Sequence, residues 1–168
     1  VGGHRFDGRY NPMGHSTYSQ EYTHEVRIFK INNSGNNPVV YDYSAIHDEN
    51  HLRRRDYNLV PQIFPNGDFG YTAFSGVFQY DRNFPWLHPV NIFAEGYEAI
   101  ENFEQQFSHY HSTCVSVYRQ NANQMDNLFF GGMARFVPDP ETGEIINDPL
   151  VPSVNTVSQV SRFKDGHM

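Results

Sequence analysis

A pair of glycines recurs in this chain where glycine is normally penalised. The sequence opens Val1-Gly2-Gly3-His4-Arg5-Phe6, and Phe129-Phe130-Gly131-Gly132-Met133-Ala134-Arg135-Phe136 returns near the far end. A degenerate copy, Ala73-Phe74-Ser75-Gly76-Val77-Phe78, lies between them. Each doublet of small residues sits beside aromatic or branched residues of strand character. Glycine inside a strand loses chain entropy and packs nothing. Its reuse predicts a repeated unit whose backbone approaches something closely at that point. A period of some tens of residues points to stacked repeats.

Strand patterns surround the doublets. Glu25–Ile31 alternates polar and apolar residues, the turn Asn32–Pro38 follows, and Val39–Tyr43 is the next strand. Further strands are expected within Leu52–Phe64, Phe69–Tyr80, Pro89–Phe93, Thr113–Tyr118, Asn127–Val137 and Val151–Phe163. Pro138–Glu144 reads as a turn without strand capacity. The best helical spacing, Ile100, Phe103 and Phe107, is short and uncapped, so Ala99–Phe107 reads as a loop with at most one helical turn.

Together these form a repeating paragraph: a histidine-containing lead-in, a strand, a turn, a strand ending in the doublet, a variable loop and a final strand. His109–Tyr118, Gln120–Gln124, Asn127–Gly132 and Asn155–Val160 spell it out. The opening fits from its middle, with Gly2-Gly3, a long loop and Thr23–Phe29. The central copy runs from Arg54 through Ser75-Gly76 to Phe93.

Composition limits the partners. Aromatics make up 15% of the 168 residues and charged residues only 18%, below the roughly 25% of ordinary globular chains. Polarity comes from Asn, Gln, Ser, Tyr and His, the style of an extracellular β protein. The net charge is −7, and lysine occurs only at Lys30 and Lys164, which argues against a nucleic-acid partner. Arg53-Arg54-Arg55, the longest basic cluster, reads as a solvated or paired strand face. The lone Cys114 forbids an intrachain disulfide and reads as a buried, inert thiol. No apolar run is long enough for a membrane-spanning helix.

With these residues in place, the chain resembles a kelch-type β-propeller of the galactose-oxidase-like central-domain kind. Leu128-Phe129-Phe130-Gly131-Gly132 resembles the family's strand-and-doublet. Thr23–Phe29 is similar to its strand after the variable loop, and His111-Ser112 to its lead-in to the next blade. The resemblance implies an all-β fold of four-stranded antiparallel blades. Doublets 73 and then 56 residues apart, against family blades of about 50 residues, imply long loops. About two and a half to three blades are implied, approximately 1–50, 51–100 and 101–163, in one partial propeller domain, with 164–168 an appended tail. A propeller needs about four blades to close. The remaining blades of the same protein, or a partner chain, are therefore expected to cover the open strand edges. The long loops and Asn-rich style look like a fragment of a secreted or surface protein of Bacteroidetes-type bacteria.

Function is then expected at the loop faces. The expectation is a non-catalytic binding or structural scaffold, extracellular or on the cell surface, for a glycan or protein ligand, with no catalytic residues and no cofactor. Tyr10, Tyr18, Tyr22 and Trp86 are candidates for stacking on a sugar, with core packing between blades as the alternative. Some members of the family isomerise sugars with Arg, Glu and Asn in a central funnel, which makes Arg55, Asp56 and Arg135 candidates, with surface or inter-blade pairing as the alternative. Others are copper radical oxidases. A carbohydrate-active propeller enzyme is therefore the second reading, and a subunit of a larger surface assembly the third. His109 and His111, one residue apart, would share a strand face and could ligate a metal. The other reading is that His111 leads the strand and packs near the doublet. His4, His15 and His24 flank the Gly/Tyr-rich connection Asp7–Gly14, read as a disordered-looking loop.

Overall fold

The computed structural model describes residues 1–9 and 17–168. The chain is all-β, in small antiparallel sheets, and divides into two compact units. Tyr10 and His15 lie outside the described residues.

The first unit comprises Val1–Arg55 and Phe78–Asn83. Strands β1 (His4–Arg9) and β2 (Thr17–Tyr22) pair as a hairpin, and β3 (Glu25–Asn32) pairs with β4 (Val39–His47). The expected turn Asn32–Pro38 joins the second pair, where Asn32 Oδ1 accepts from the Ser34 amide at 2.9 Å. A bulge at Asp42, whose φ is +53°, shifts the register between Ile28 and Lys30. Asp7-Gly8-Arg9, expected in a loop, belongs to β1. The Arg53–Arg55 cluster departs from the strand-face reading. Arg54 is fully buried and its Nε donates to the His51 carbonyl. Arg53 donates to the carbonyls of Phe78 (2.9 Å) and Gln79 (3.1 Å).

The second unit comprises Asp56–Val77 and Phe84–Met168. Strands β5 (Asn58–Ile63), β6 (Phe69–Phe74), β7 (Val90–Ile92) and β8 (Tyr97–Ala99) form a four-stranded antiparallel meander. Strand β9 (Thr113–Arg119), a 3-10 turn at Gln120–Ala122, and β10 (Gln124–Phe130) follow. Then comes the small hairpin of β11 (Phe136–Pro138) and β12 (Ile145–Asn147), and finally β13 (Val157–Arg162). Here β10 is the central strand, with β9 and β13 on its two edges. It is buried over Gln124–Asn127, whereas β9 alternates exposed and half-buried residues, as an edge strand with one wet face does.

The two larger sheets of this unit meet through Val60, Phe74, Phe129 and Val160. Phe74 and Phe129 pack edge to face at 5.2 Å, and both are fully buried. Removing each ring from water contributes roughly 1.5–3 kcal/mol. Beside them Gln62 Nε2 donates to Asn127 Oδ1 at 2.8 Å, and Ser116 Oγ donates to the same oxygen at 3.0 Å. Cys114 also packs here, and burial pushes its thiol up to about 11. The last residues are ordered into a turn, in which the Phe163 amide donates to the His167 carbonyl and Met168 returns to the core.

All three doublets have positive φ at both positions. Gly2 and Gly3 (φ +54° and +87°), Ser75 and Gly76 (+56° and +99°), and Gly131 and Gly132 (+64° and +85°) are consecutive left-handed pairs. That geometry ends β6 at Phe74 and β10 at Phe130, short of the strands expected from their aromatic runs. The same hydrogen bonds recur. The second residue's carbonyl accepts from the amide of Thr23 (3.2 Å), Trp86 (2.8 Å) and Val154 (2.9 Å) in turn. The first residue's amide donates to Glu25 O (2.7 Å) in the first copy and Thr156 O (2.9 Å) in the third. The expected close approach is also present. A Cβ on Gly2 would lie 2.6 Å from the Arg54 carbonyl oxygen, and one on Gly132 would overlap that of Tyr110.

Candidate functional site

A cleft in the second unit lies where β13, β6 and β7 bring polar side chains together. Its volume is about 530 Å³, and Phe64, Phe93, Asn91, Glu98, Arg162 and Asp165 are among its walls. Arg162 closes β13 and is only 3% exposed. One terminal nitrogen, Nη2, donates to Asn91 Oδ1 at 2.7 Å and more distantly to Thr72 Oγ1 at 3.4 Å. Thr72 Oγ1 in turn donates to Asn91 Oδ1 at 2.8 Å, and Asn91 Nδ2 to Glu98 Oε2 at 3.2 Å. The guanidinium carbon stands 5.2 Å from the Phe64 ring centroid, and Phe64 packs against Phe93 at 4.7 Å.

This is a buried cation among neutral partners. Arg162 makes no ion pair among the described residues, and its Nε is buried without a hydrogen bond. Burial lowers its pKa to about 10, partly offset by the field of Glu98. The side chain remains charged at neutral pH. Its hydrogen-bonding capacity is only partly used, because a guanidinium carries five N–H donors. The chain Thr72–Asn91–Glu98 fixes donors and acceptors in advance, the preorganisation that polar ligand recognition needs. Among the sequence-predicted candidates Arg162 is missing, because it stands in a plain strand with no motif around it.

The predicted residues are scattered by comparison. Tyr18 on β2 stacks on Phe6 at 4.8 Å. Tyr22 and Arg55 do meet, since Arg53 and Arg55 lie 4.0 Å and 5.8 Å from the Tyr22 ring centroid. Arg55 also sits 5.6 Å from the Phe78 ring. Trp86 is buried at 8% exposure within the second unit, so it packs in the core and presents no stacking face to solvent. Arg135 lies over Phe84 at 4.2 Å and donates to Asn147 Oδ1 at 3.0 Å.

The histidine pair does not share a strand face. His109 and His111 both have left-handed φ, +49° and +55°, on either side of Tyr110 and before β9 begins. His109 is fully buried and stacks on Phe129 at 5.7 Å. Its Nδ1 donates to the Gly131 carbonyl at 2.6 Å, so in the neutral ring Nε2 accepts from Ser158 Oγ, also at 2.6 Å. Both ring nitrogens are thus engaged, and burial lowers the pKa despite the Gly131 bond. His111 is exposed, with Nε2 3.9 Å from Asp56 Oδ1. In the first unit, histidine and carboxylate pair at His47–Glu25, His51–Asp48 and His24–Glu49. Among the described residues no group of three His, Cys, Asp or Glu could hold a metal ion. No helix among them is long and apolar enough to cross a membrane. Compared with protein-family models, curated proteins and solved structures, the chain matches none.

Proposed function

We propose that the chain is part of a kelch-like β-propeller that serves as a non-catalytic binding scaffold of a secreted or cell-surface protein, with a small polar ligand held in the Arg162 cleft. The recurring left-handed doublets, the shared hydrogen bonds after them and the four-stranded meander β5–β8 support the propeller. The observation that carries the binding role is Arg162 itself, a buried guanidinium with unused donors facing a preorganised polar chain. Open strand edges favour one further reading, assembly with remaining blades or a partner chain.

Saturation-transfer NMR against a panel of neutral and acidic mono- and disaccharides tests the role. One ligand should bind the wild type, remain chemically unchanged over hours, and be lost in Arg162→Met. Turnover of a bound sugar would replace the scaffold with an enzyme. Binding that survives Arg162→Met would move the site elsewhere.

A further inference from the structure

The repeat assigns a partner to one sheet edge that is bare among the described residues. Two of the doublets terminate a strand that pairs with the strand beyond the loop: β6 with β7, and β10 with β13. The first copy keeps everything downstream of the doublet. The Gly2 amide donates to Glu25 O as the Gly131 amide donates to Thr156 O. The Thr23 amide donates to Gly3 O as the Val154 amide donates to Gly132 O. These two bonds fix the equivalence of Gly2 with Gly131 and of Glu25 with Thr156. One step further, Val1 takes the place of Phe130 and Val26 that of Val157, and Phe130 and Val157 are a ladder pair.

Strand β3 is paired with β4 along one edge. Along the other, the Gly2–Glu25 bond is the only strand-type bond among the described residues. Antiparallel strands turn alternate residues toward opposite neighbours. Since Glu25 O faces Gly2, the amides and carbonyls of Arg27, Phe29 and Ile31 face the open edge. Phe29 and Ile31 are 46% and 57% exposed. An edge of this kind is a template for another strand.

We propose that the open edge of β3 is a strand-acceptor site for an antiparallel segment that runs into Gly2-Gly3 from its amino side, as β6 runs into Ser75-Gly76 and β10 into Gly131-Gly132. The register is set. Val1 stands opposite Val26, and the residue two before it stands opposite Ile28. The occupant is an extended, proline-free strand of the β10 kind, held chiefly by backbone bonds to Arg27, Phe29 and Ile31. This inference stands on the repeat alone and holds whether or not the sheets close into a propeller.

The test extends the chain upstream of Val1 with Gln-Met-Asp-Asn-Leu-Phe, the β10 sequence as far as Phe129, so that Val1 itself keeps the place of Phe130, and follows amide hydrogen exchange by NMR. Arg27, Phe29 and Ile31 should exchange about ten-fold or more slowly than in the unextended chain. Val26 and Ile28, already turned toward β4, serve as the internal measure that the hairpin is folded. Arg27→Pro removes one outward donor without touching the β4 ladder and should reverse the protection. Unchanged exchange at the three outward amides, with Val26 and Ile28 protected, overturns the proposal. So does equal protection from an extension interrupted by proline, or protection by the free peptide but not by the extension.

Discussion

Gly132→Ala is the sharpest test of the doublet. Gly132 sits at φ +85°, and a Cβ there would overlap the Tyr110 carbonyl oxygen and lie 3.0 Å from Ser112 Cβ. The left-handed conformation alone costs an alanine about 1–2 kcal/mol. Relieving the overlap must push apart the segment Tyr110–Met133, which is joined by two backbone hydrogen bonds of 2.8 and 2.9 Å. Each contributes roughly 1 kcal/mol net. The sum is about 3–4 kcal/mol. Gly67→Ala isolates the first part. It has φ +89° in the same unit, and nothing lies within 4 Å of its Cβ position, so it should lose only about 1–2 kcal/mol. In urea, with a slope of roughly 2 kcal/mol/M, the two variants should differ by about 1 M in midpoint. Equal midpoints would mean that conformational preference alone selects the glycine, and that close approach to Tyr110 is irrelevant.

Two further outcomes follow from the same unit. Asn127→Ala removes the acceptor of Gln62 Nε2 and Ser116 Oγ from a fully buried position. It should cost roughly 1–3 kcal/mol in chemical denaturation, and no loss would show that the pair is replaceable by solvent. His109 is held neutral by burial, so its folded pKa lies below its unfolded value of about 6.5. Between the two values the unfolded chain binds the extra proton. His109 therefore contributes stability that is fully present above pH about 6.5 and lost as pH falls toward its folded pKa. His109→Gln should flatten that slope in pH-dependent urea melts, and an unchanged slope would assign the titration to other histidines.

Sequence alone carried the repeated paragraph because glycine at a left-handed position leaves a mark in composition. Ser75 shows the limit: it takes φ +56° without being glycine, so the middle copy looked degenerate while its backbone is not. Strand ends were illegible for a related reason. Phe69–Tyr80 reads as one β-prone run, and only the reversal at Ser75-Gly76 stops it at Phe74. The hairpin β1–β2 was hidden by Gly8 and neighbouring polar residues, whose strand character comes from cross-strand pairing rather than from local preference. The His109–His111 spacing misled because a strand period was assumed across two left-handed residues. Arg162 was invisible because burial, not spacing, makes it unusual. Its partners Thr72 and Asn91 come from strands far away in the chain.

The loops after the doublets have a consequence for how this architecture varies. Each is pinned at its base by a recurring hydrogen bond, Thr23 to Gly3, Trp86 to Gly76 and Val154 to Gly132. The chain between those pins doubles in length from the middle copy to the outer two, yet doubling a flexible loop costs only about 0.6 kcal/mol in closure entropy. The outer copies spend the added length on hairpins, β1–β2 and β11–β12, which bond within themselves. The pinned base is thus an insertion-tolerant socket, where a graft with its own internal pairing can be exchanged while the sheets beneath keep their register.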